Sequence, residues 1–493
     1  MRIAQVLIPL PLPEAFDYAE PEAMALEVGD VVTAPLGPRL VRGVVTGIRD
    51  GAGVNRALKE VAGRIETPPL PPASLAFIEW AARYAVDQPG QPLAIALRGS
   101  TAPRQRPERV CVVSGKPPAR MTPARERVLA AADAAELSRA ALSRAAGVSS
   151  GVVHALIADG ALAEALREAP VDFAAPDPEH ARPKLNASQA AALAELDEMI
   201  SGGGFSVALL DGVTGSGKTE VYLEAAAAVL RRNPDAQVLI LLPEIALTEA
   251  VIARIAQRFG AEPAAWHSGL APQRRRRVWE AVARGKASIV VGARSALFLP
   301  FASLRLVVVD EEHDGSYKQD DGFIYQARDL AVARAKLGDA PVVLASATPS
   351  LETLWNAGTG RYRWLRLASR YGDALLPEVS LIDLRQTPPE HGRWLSPPLV
   401  EAMRETLSKG EQALLFLNRR GYAPVVLCRA CGERLSAPDT DSWLVEHRYS
   451  GRLVCHLTGF SMPKPERCPH CGARESLVSV GPGVERVEEE ARE

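Results

Sequence analysis

Continuous apolar runs alternate with amphipathic stretches through the middle of the chain, from about residue 185 onward. The runs that we predict to be strands are SVALLDG (206–212), QVLILLP (237–243), ASIVVGA (287–293), LRLVVVDE (304–311) and PVVLASA (341–347). Such runs are typical of a parallel sheet that helices cover on both faces. The stretches between them have helical spacing, so residues 181–385 are predicted to form one βαβ domain.

The regions before this domain have two other patterns. In residues 1–103, short apolar stretches are broken by proline and glycine, which predicts a small β-rich domain that ends with the helix ASLAFIEWAARYAV (73–86). Residues 104–180 begin with alanine-rich helical segments and end in a proline-rich linker. We interpret them as a winged-helix module with its linker, and a plain helical spacer is the alternative.

The region after the domain starts a further α/β unit. Residues 386–427 contain the predicted helix PPLVEAMRETLSKG (397–410) and the predicted strand QALLFLNR (412–419). A cysteine-containing segment follows at 428–471, and residues 472–493 end in the acidic sequence VERVEEEARE.

Composition narrows the class of protein. The net charge of −2 argues against a uniformly basic protein that coats DNA, although local basic patches remain compatible with DNA binding. No run of about 18 apolar residues exists and the N-terminus lacks the pattern of a signal peptide, so we expect no membrane span. Five of the six cysteines lie between residues 428 and 471, which favours a cytoplasmic protein with a metal site over a disulfide framework.

The strongest functional motif lies between a predicted strand and a predicted helix, and it fits the pattern GxxxxGK[ST] of a P-loop. Its residues are Gly212, Val213, Thr214, Gly215, Ser216, Gly217, Lys218 and Thr219. Backbone N–H groups of such a loop surround phosphate oxygens at the N-terminus of a helix. The motif therefore predicts ATP binding, with Lys218 on the β- and γ-phosphates and Thr219 on Mg²⁺.

The acidic motif DEEH (310–313) follows the run LRLVVV directly. Carboxylates at the carboxyl end of a parallel strand project into the ligand crevice of the sheet. We predict that Asp310 holds Mg²⁺ and that Glu311 orients or deprotonates the attacking water.

Two CxxC pairs indicate a structural zinc site. Cys428, Cys431, Cys468 and Cys471 supply the four thiolates of a tetrahedral site, and the CGE and CPHCG contexts favour zinc-ribbon knuckles. Redox dithiols are the alternative. We predict one Zn²⁺ per chain.

These motifs resemble those of superfamily 2 helicases and, more closely, those of the PriA (primosomal protein N′) family of bacterial replication-restart helicases. The matching segments are GVTGSGKTEVY (212–222), LPEIALT (242–248), WHSGL (266–270), ARSALFLPF (293–301), DEEHDGSYKQDDGFIYQARD (310–329) and SATPS (346–350). The resemblance implies a RecA-like lobe preceded by a DNA-binding domain and a winged-helix module, then a zinc-ribbon insertion in a second lobe. It also implies 3′-to-5′ unwinding of DNA. The partners that it implies are forked DNA, single-stranded DNA, single-stranded DNA-binding protein and primosome or helicase-loading proteins.

The resemblance also assigns individual residues. Gln189 takes the place of an adenine contact, with an exposed helical glutamine as the alternative, while Ser346 and Thr348 match the motif that couples ATP state to lobe movement. An aromatic-rich loop that senses single strands is represented by Tyr317, Lys318, Phe323, Tyr325 and Arg328. Aromatic and basic residues on a loop suit base stacking and phosphate contact, and buried packing of Phe323 and Tyr325 is the alternative. A pocket for the 3′ end of a nascent strand is represented by Phe16, Asp17, Gly37 and Lys59.

The chain departs from the family pattern in two places. The family has a second, inner zinc site, but Ala437, Thr440 and Thr458 stand at three of its cysteine positions and only Cys455 remains, so we expect that site to be lost. The second lobe is expected to be incomplete, because no QxxGRxGR-type motif with an arginine finger occurs. Two functions therefore stay open, an active helicase and a fork-binding scaffold that binds ATP without unwinding. A transcription or chromatin ATPase is a weaker third possibility.

Overall fold

The computed structural model of the protein describes residues 2–51, 57–100, 108–167, 173–243, 249–367, 378–390, 393–417, 425–438, 440, 442–447 and 450–493. The chain divides into two compact units, Met1–Leu375 and Leu376–Glu493.

The N-terminal part of the first unit is the predicted β-rich domain. Its elements are β1 (Arg2–Leu7), β2 (Phe16–Ala19), β3 (Val31–Leu36), β4 (Arg39–Asp50), β5 (Gly63–Arg64), α1 (Pro72–Tyr84) and α2 (Gly90–Ala96). The strands form an antiparallel sheet in the order β2–β1–β4–β3–β5. Strand β2 is too short to be predicted from sequence, because four residues cannot establish an alternating pattern.

The next segment contains the three predicted helices and a strand pair that the sequence analysis missed. The elements are β6 (Glu108–Val113), α3 (Pro123–Ala134), α4 (Arg139–Ala146), α5 (Ser150–Ala158) and β7 (Leu162–Arg167). Strands β6 and β7 pair antiparallel, and the helices pack around Val128, Leu142 and Leu156, an arrangement that fits a winged-helix module.

Among the described residues, no single helix has the length and apolar composition needed to cross a membrane. The bent pair α4–α5 meets these two criteria only when its helices are taken together, and they meet at 118°.

The predicted βαβ domain is confirmed as a parallel sheet with helices on both faces. Its elements are α6 (Ala187–Gly202), β8 (Val207–Gly212), α7 (Lys218–Arg232), β9 (Gln237–Leu241), α8 (Glu249–Phe259), β10 (Ala264–Trp266), α9 (Pro272–Ala283), β11 (Ile289–Gly292), β12 (Leu304–Asp310), β13 (Lys318–Gln319), β14 (Tyr325–Gln326), α10 (Ala327–Gly338), β15 (Val342–Ser346), α11 (Leu351–Gly358) and β16 (Arg363–Leu367). The order in the sheet is β10–β11–β9–β12–β15–β8–β16, and β13 and β14 form a separate hairpin. Two strands of this sheet, β10 and β16, were not predicted. They lie at the edges of the sheet, where a strand has a neighbouring strand on one side only.

Buried polar contacts attach α1 and α2 to this sheet domain. The indole N–H of Trp279 donates to the carbonyl of Ala96 at 2.7 Å. The buried guanidinium of Arg334 donates to the carbonyl of Ala73 at 2.7 Å and to the hydroxyl of Ser74 at 2.8 Å. Burial lowers the pKa of Arg334 to about 10. The N-terminal domain and the sheet domain are therefore parts of one packed body.

The second unit is small and consists mainly of short strands. Its elements are α12 (Pro397–Ser408), β17 (Val425–Cys428), β18 (Val445–His447), β19 (Arg452–Val454), β20 (Ser461–Pro463), β21 (Leu477–Val480) and α13 (Val484–Arg492). Strand β17 pairs with β21, and β18–β19–β20 form an antiparallel sheet.

The predicted helix at 397–410 is present, but the predicted strand at 412–419 is wrong over its described part. Residues 411–417 have no strand structure, and Leu414 and Phe416 are 90% and 86% exposed. A strand forms only when a neighbouring strand accepts and donates its backbone hydrogen bonds, and no described segment does so here. Residues 418 and 419 lie outside the described part of the chain.

Candidate functional site

The P-loop joins the end of β8 to the start of α7, as predicted. Gly217 has φ = 81°, and a Cβ atom on it would lie 2.2 Å from the amide nitrogen of Gln189. Glycine is therefore required at this position for two independent reasons. The ammonium of Lys218 is buried in the loop and donates to the carbonyl of Gly212 at 2.9 Å. The backbone of the P-loop therefore folds around the Nζ atom of Lys218.

Gln189 is part of the architecture of this loop. Its side-chain oxygen accepts from the backbone N–H of Asn186 at 2.9 Å, which completes a capping box at the start of α6. Its side-chain nitrogen donates to the carbonyl of Ser216 at 2.9 Å. The alternative of an exposed helical glutamine is wrong, because Gln189 is buried. The adenine contact stays a prediction.

The acidic motif faces the P-loop across a pocket of about 610 Å³. The residues that line the pocket are Pro183, Lys184, Thr214, Gly215, Gly217, Lys218, Thr219, Glu220, Arg254, Asp310 and Glu311. Strand β12 lies beside β15, which lies beside β8, so the carboxyl ends of β8 and β12 open at the same edge of the sheet. Arg254, which no sequence motif indicated, pairs with Glu220 at this pocket.

Tyr222 connects the two residues predicted to bind Mg²⁺. Its hydroxyl donates to a carboxylate oxygen of Asp310 at 2.9 Å and also hydrogen-bonds with the side chain of Thr219. Burial raises the pKa of Asp310, mainly by removing water from the carboxylate. A divalent cation beside this carboxylate would favour its charged form. Tyr222 lies one helical turn after Lys218 in the predicted helix, but nothing in the sequence indicated its contact with Asp310.

The motifs DEEH and SATPS touch each other through side chains. The ring nitrogen Nδ1 of His313 lies 2.7 Å from the hydroxyl oxygen of Ser346. The same hydroxyl oxygen accepts from the backbone N–H of Thr348 at 3.0 Å. The acidic motif and the SATPS segment are therefore in direct contact.

The aromatic-rich loop is mostly buried, which corrects the predicted DNA contacts of four of its residues. The hydroxyl of Tyr317 donates to the carbonyl of Asp310 at 2.6 Å, and its ring is 1% exposed. Phe323 and Tyr325 pack on Phe298, so the alternative of buried packing is correct for these two residues. The guanidinium of Arg328 is also buried and is held by carboxylates. Aromatic rings and a guanidinium that are buried in the core cannot contact the bases or phosphates of DNA.

Lys318 differs from its neighbours because its side chain is exposed. Its backbone carbonyl accepts from the guanidinium of Arg294 at 2.7 Å, so the backbone is fixed while the ammonium stays at the surface. A DNA contact of Lys318 therefore remains a prediction.

The residues predicted to bind a 3′ end lie on β2, in the turn between β3 and β4, and in the segment before β5. The ammonium of Lys59 donates to the carbonyl of Gly37 at 3.3 Å, and Gly37 has φ = 60° in the turn between β3 and β4. Asp17, which follows the half-buried Phe16 in β2, forms an ion pair with Arg49. The sequence analysis missed Arg49, which brings a second cation to this surface.

The four predicted zinc ligands are together. Their sulfur atoms all lie within 4.8 Å of one another, and the Cys428–Cys471 and Cys431–Cys468 pairs are 3.7 and 3.8 Å apart. A tetrahedron with Zn–S bonds of about 2.3 Å has edges of about 3.8 Å, so the sulfur geometry fits Zn²⁺.

The backbone around both CxxC pairs has the same hydrogen bonds. The N–H of Cys428 donates to the carbonyl of Glu433, and the N–H of Cys468 donates to that of Ala473. In each turn a glycine with φ near 75° follows the second cysteine.

Comparisons with known proteins agree with these motifs. The DEAD/DEAH box helicase family matches residues 186–356, and the 3′ DNA-binding domain (3′BD) family matches residues 5–98. The Replication restart protein PriA of Haemophilus influenzae is 36% identical over 99% of this chain and 68% of its own length. The chain belongs to the PriA family. PriA of Bacillus subtilis is 40% identical over 72% of this chain and 44% of its own length.

For some other PriA relatives, the match covers a smaller share of this chain. PriA of Rickettsia felis is 46% identical over 58% of this chain and 44% of its own length. The chain thus spans about half the length of several relatives that it matches.

The segment in which we expect an inner zinc site to be lost has an apolar interior. Ala437 and Cys455 are buried in a cluster with Leu435, Leu444 and Leu453. The N–H of Cys455 still donates to the carbonyl five residues later, as in the two cysteine turns. Within the described residues, the four-cysteine group is the one set of three or more such ligands that a metal could bind, and it excludes Cys455.

His447 and His456 lie near this segment and are in contact through their Nε2 atoms at 2.9 Å. The Nδ1 atom of His447 is 2.9 Å from a carboxylate oxygen of Glu485. These contacts connect β18 with α13, and they do not bring Cys455 into a three-ligand group.

The geometry at Gly217 gives a testable prediction. We expect Gly217→Ala to weaken ATP binding about tenfold or more, because left-handed backbone costs an alanine about 1–2 kcal/mol and the new Cβ displaces the amide of Gln189. The measurement is calorimetric titration with ATP and Mg²⁺. Gly202→Ala is the matched control, since a Cβ there meets nothing within 4 Å. Equal affinities for the two variants would contradict the assigned role of the loop.

Proposed function

We propose that the protein is an ATP-dependent DNA helicase that acts at stalled or forked replication DNA and moves 3′ to 5′. The observation that carries the proposal is the pocket in which the P-loop, Thr219, Asp310 and Glu311 meet, within the same unit as a 3′ DNA-binding domain. From the resemblance to the PriA family we also propose roles in primosome assembly and in loading the replicative helicase. Both roles would be carried out in the bacterial cytoplasm.

The residues of the pocket suit ATP with Mg²⁺. Lys218, Thr219, Asp310 and Glu311 line the pocket together, so a cation and the carboxylates can meet the phosphates at one place. Lys218 holds the β- and γ-phosphates, and Thr219 and Asp310 hold the cation. Mg²⁺, when bound, neutralises charge that develops on the phosphates. Glu311, which is 40% exposed at the pocket, orients the attacking water.

The N-terminal domain and Lys318 supply the proposed DNA contacts. Phe16 stacks on the terminal base, Asp17 accepts from the 3′ hydroxyl, and Lys59 meets a phosphate beside Gly37. Arg49 keeps Asp17 from repelling the strand, because it pairs with that carboxylate. Lys318 contacts the backbone of single-stranded DNA.

The cysteine cluster holds one structural Zn²⁺ per chain. Four thiolates at tetrahedral spacing close the coordination sphere and leave no position for a substrate. The zinc region serves contact with the fork and with primosome proteins, and single-stranded DNA-binding protein and helicase-loading proteins are the proposed partners.

The first test concerns catalysis. We expect Lys218→Ala to lower the kcat of fork-stimulated ATP hydrolysis about a hundredfold or more, because it removes a charge that stabilises the transferring phosphoryl group. The assay measures phosphate release with and without forked DNA. Lys336→Ala, a change of an exposed lysine on α10, serves as the control. A wild-type chain that binds ATP but hydrolyses it only at background rate would favour a fork-binding scaffold.

The second test concerns the 3′ end. We expect Lys59→Ala to weaken binding to a fork with a free 3′ hydroxyl about fivefold, since one phosphate contact is lost. Anisotropy titration at fixed salt compares this fork with one whose 3′ end carries a phosphate. Arg83→Ala, on the exposed face of α1, is the control. Equal binding of free and blocked ends would remove Phe16, Asp17, Gly37 and Lys59 from the site.

The third test concerns the metal. We expect one equivalent of zinc per chain, and we expect Cys431→Ser to lose it because one thiolate is removed. Atomic absorption on the purified full chain measures the stoichiometry. Cys455→Ala is the matched control and should retain one equivalent, since Cys455 lies in the apolar cluster. Two equivalents in the wild-type chain would contradict the loss of the inner site.

A further inference from the structure

The third residue of the DEEH motif points away from the nucleotide pocket. Asp310 and Glu311 line that pocket, whereas the side chain of Glu312 turns into the protein and is completely buried. A buried carboxylate is costly unless donors satisfy it, so its surroundings indicate what it does.

The donors to Glu312 come from two helices. At the start of α11, the backbone N–H and hydroxyl of Ser350 donate to it at 2.7 and 3.0 Å, and the hydroxyl of Thr353 donates at 3.0 Å. At the start of α10, the guanidinium of Arg328 donates at 3.3 Å. The carboxylate thus joins the end of β12 to both helices.

Glu311 lies between two side chains that are held in this way. The carboxylate of Asp310 accepts from Tyr222, and Glu312 is fixed by its own donors and by its backbone N–H, which donates to the carbonyl of Ala345 at 3.1 Å. Glu311 itself has φ = 46°, a left-handed backbone that a non-glycine residue adopts at a cost. Its conformation therefore depends on the anchors on each side.

We propose that Glu312 is a positioning residue: it holds Glu311 in the orientation needed for water activation and connects the nucleotide site to the SATPS segment and α11. The inference rests on the proposed ATP hydrolysis. Glu312 does not touch nucleotide; it acts through Glu311 on one side and through Ser350 and Thr353 on the other. Removing one of its donors loosens the turn without changing the P-loop.

The kinetic test removes one donor and keeps the volume. We expect Thr353→Val to lower the kcat of ATP hydrolysis about three- to tenfold, the effect of one hydrogen bond to a charged group, with the KM for ATP within about twofold of wild type. Thr353→Ser restores the hydroxyl and should return kcat to near the wild-type value. Equal kcat values for the valine and serine variants overturn the proposal.

A second measurement uses nucleotide binding alone. Amide hydrogen exchange is followed with and without a non-hydrolysable ATP analogue and Mg²⁺. In the wild-type chain the analogue should protect both residues 212–219 and residues 346–353. In Glu312→Gln, which retains the side-chain volume but loses the charge that Arg328 and the hydroxyls bind, protection should persist over 212–219 and disappear over 346–353.

The two measurements separate the possible failures. If the wild-type chain does not hydrolyse ATP, the proposed enzymatic function is wrong. The exchange experiment still tests whether Glu312 connects residues 212–219 with residues 346–353. Absence of analogue-induced protection over 346–353 in the wild-type chain, or its persistence in Glu312→Gln, overturns the positioning role even if hydrolysis is present.

Discussion

Three consecutive carboxylates lie at the end of β12, and like charges at this spacing repel one another. The fold meets this constraint by giving each carboxylate different surroundings. Asp310 accepts a hydrogen bond from a hydroxyl on α7, and Glu311 faces the pocket with a left-handed backbone. Glu312 accepts hydrogen bonds from residues at the starts of α10 and α11. Helices α7, α10 and α11 are therefore attached to the same short turn, and the geometry of the pocket depends on all three.

The P-loop side of the pocket depends on a comparable contact. Gln189 completes the capping box of α6 and donates to the loop at Ser216, while Gly217 leaves just enough room for its amide. The start of α6 thereby supports the P-loop at Ser216.

An aromatic cluster packs the N-terminal domain against the sheet domain within the first unit. Phe77 of α1 and Phe298 have ring centroids 5.1 Å apart, and Tyr325 packs on Phe298 at 5.5 Å. Arg334 lies over the ring of Phe77 while it donates to α1. The aromatic-rich loop is thus held between the N-terminal domain and the sheet, which explains why its rings are buried although its sequence suits base stacking.

The sequence by itself determined the parallel sheet, the P-loop, the acidic motif and the four-cysteine site. These features arise from short-range patterns: apolar runs long enough for buried strands, glycine spacing that a phosphate loop needs, and paired cysteines in tight turns. It did not determine β10, β16 or the β6–β7 pair, whose short or edge positions carry little periodic signal. Only the tertiary structure decided that Tyr222 meets Asp310, that Gln189 supports the P-loop, that Tyr317 and Phe323 are buried, and that residues 411–417 form no strand. Each of these depends on partners far away in the sequence, and local pattern holds no information about which distant group will satisfy a hydrogen bond or cover a ring.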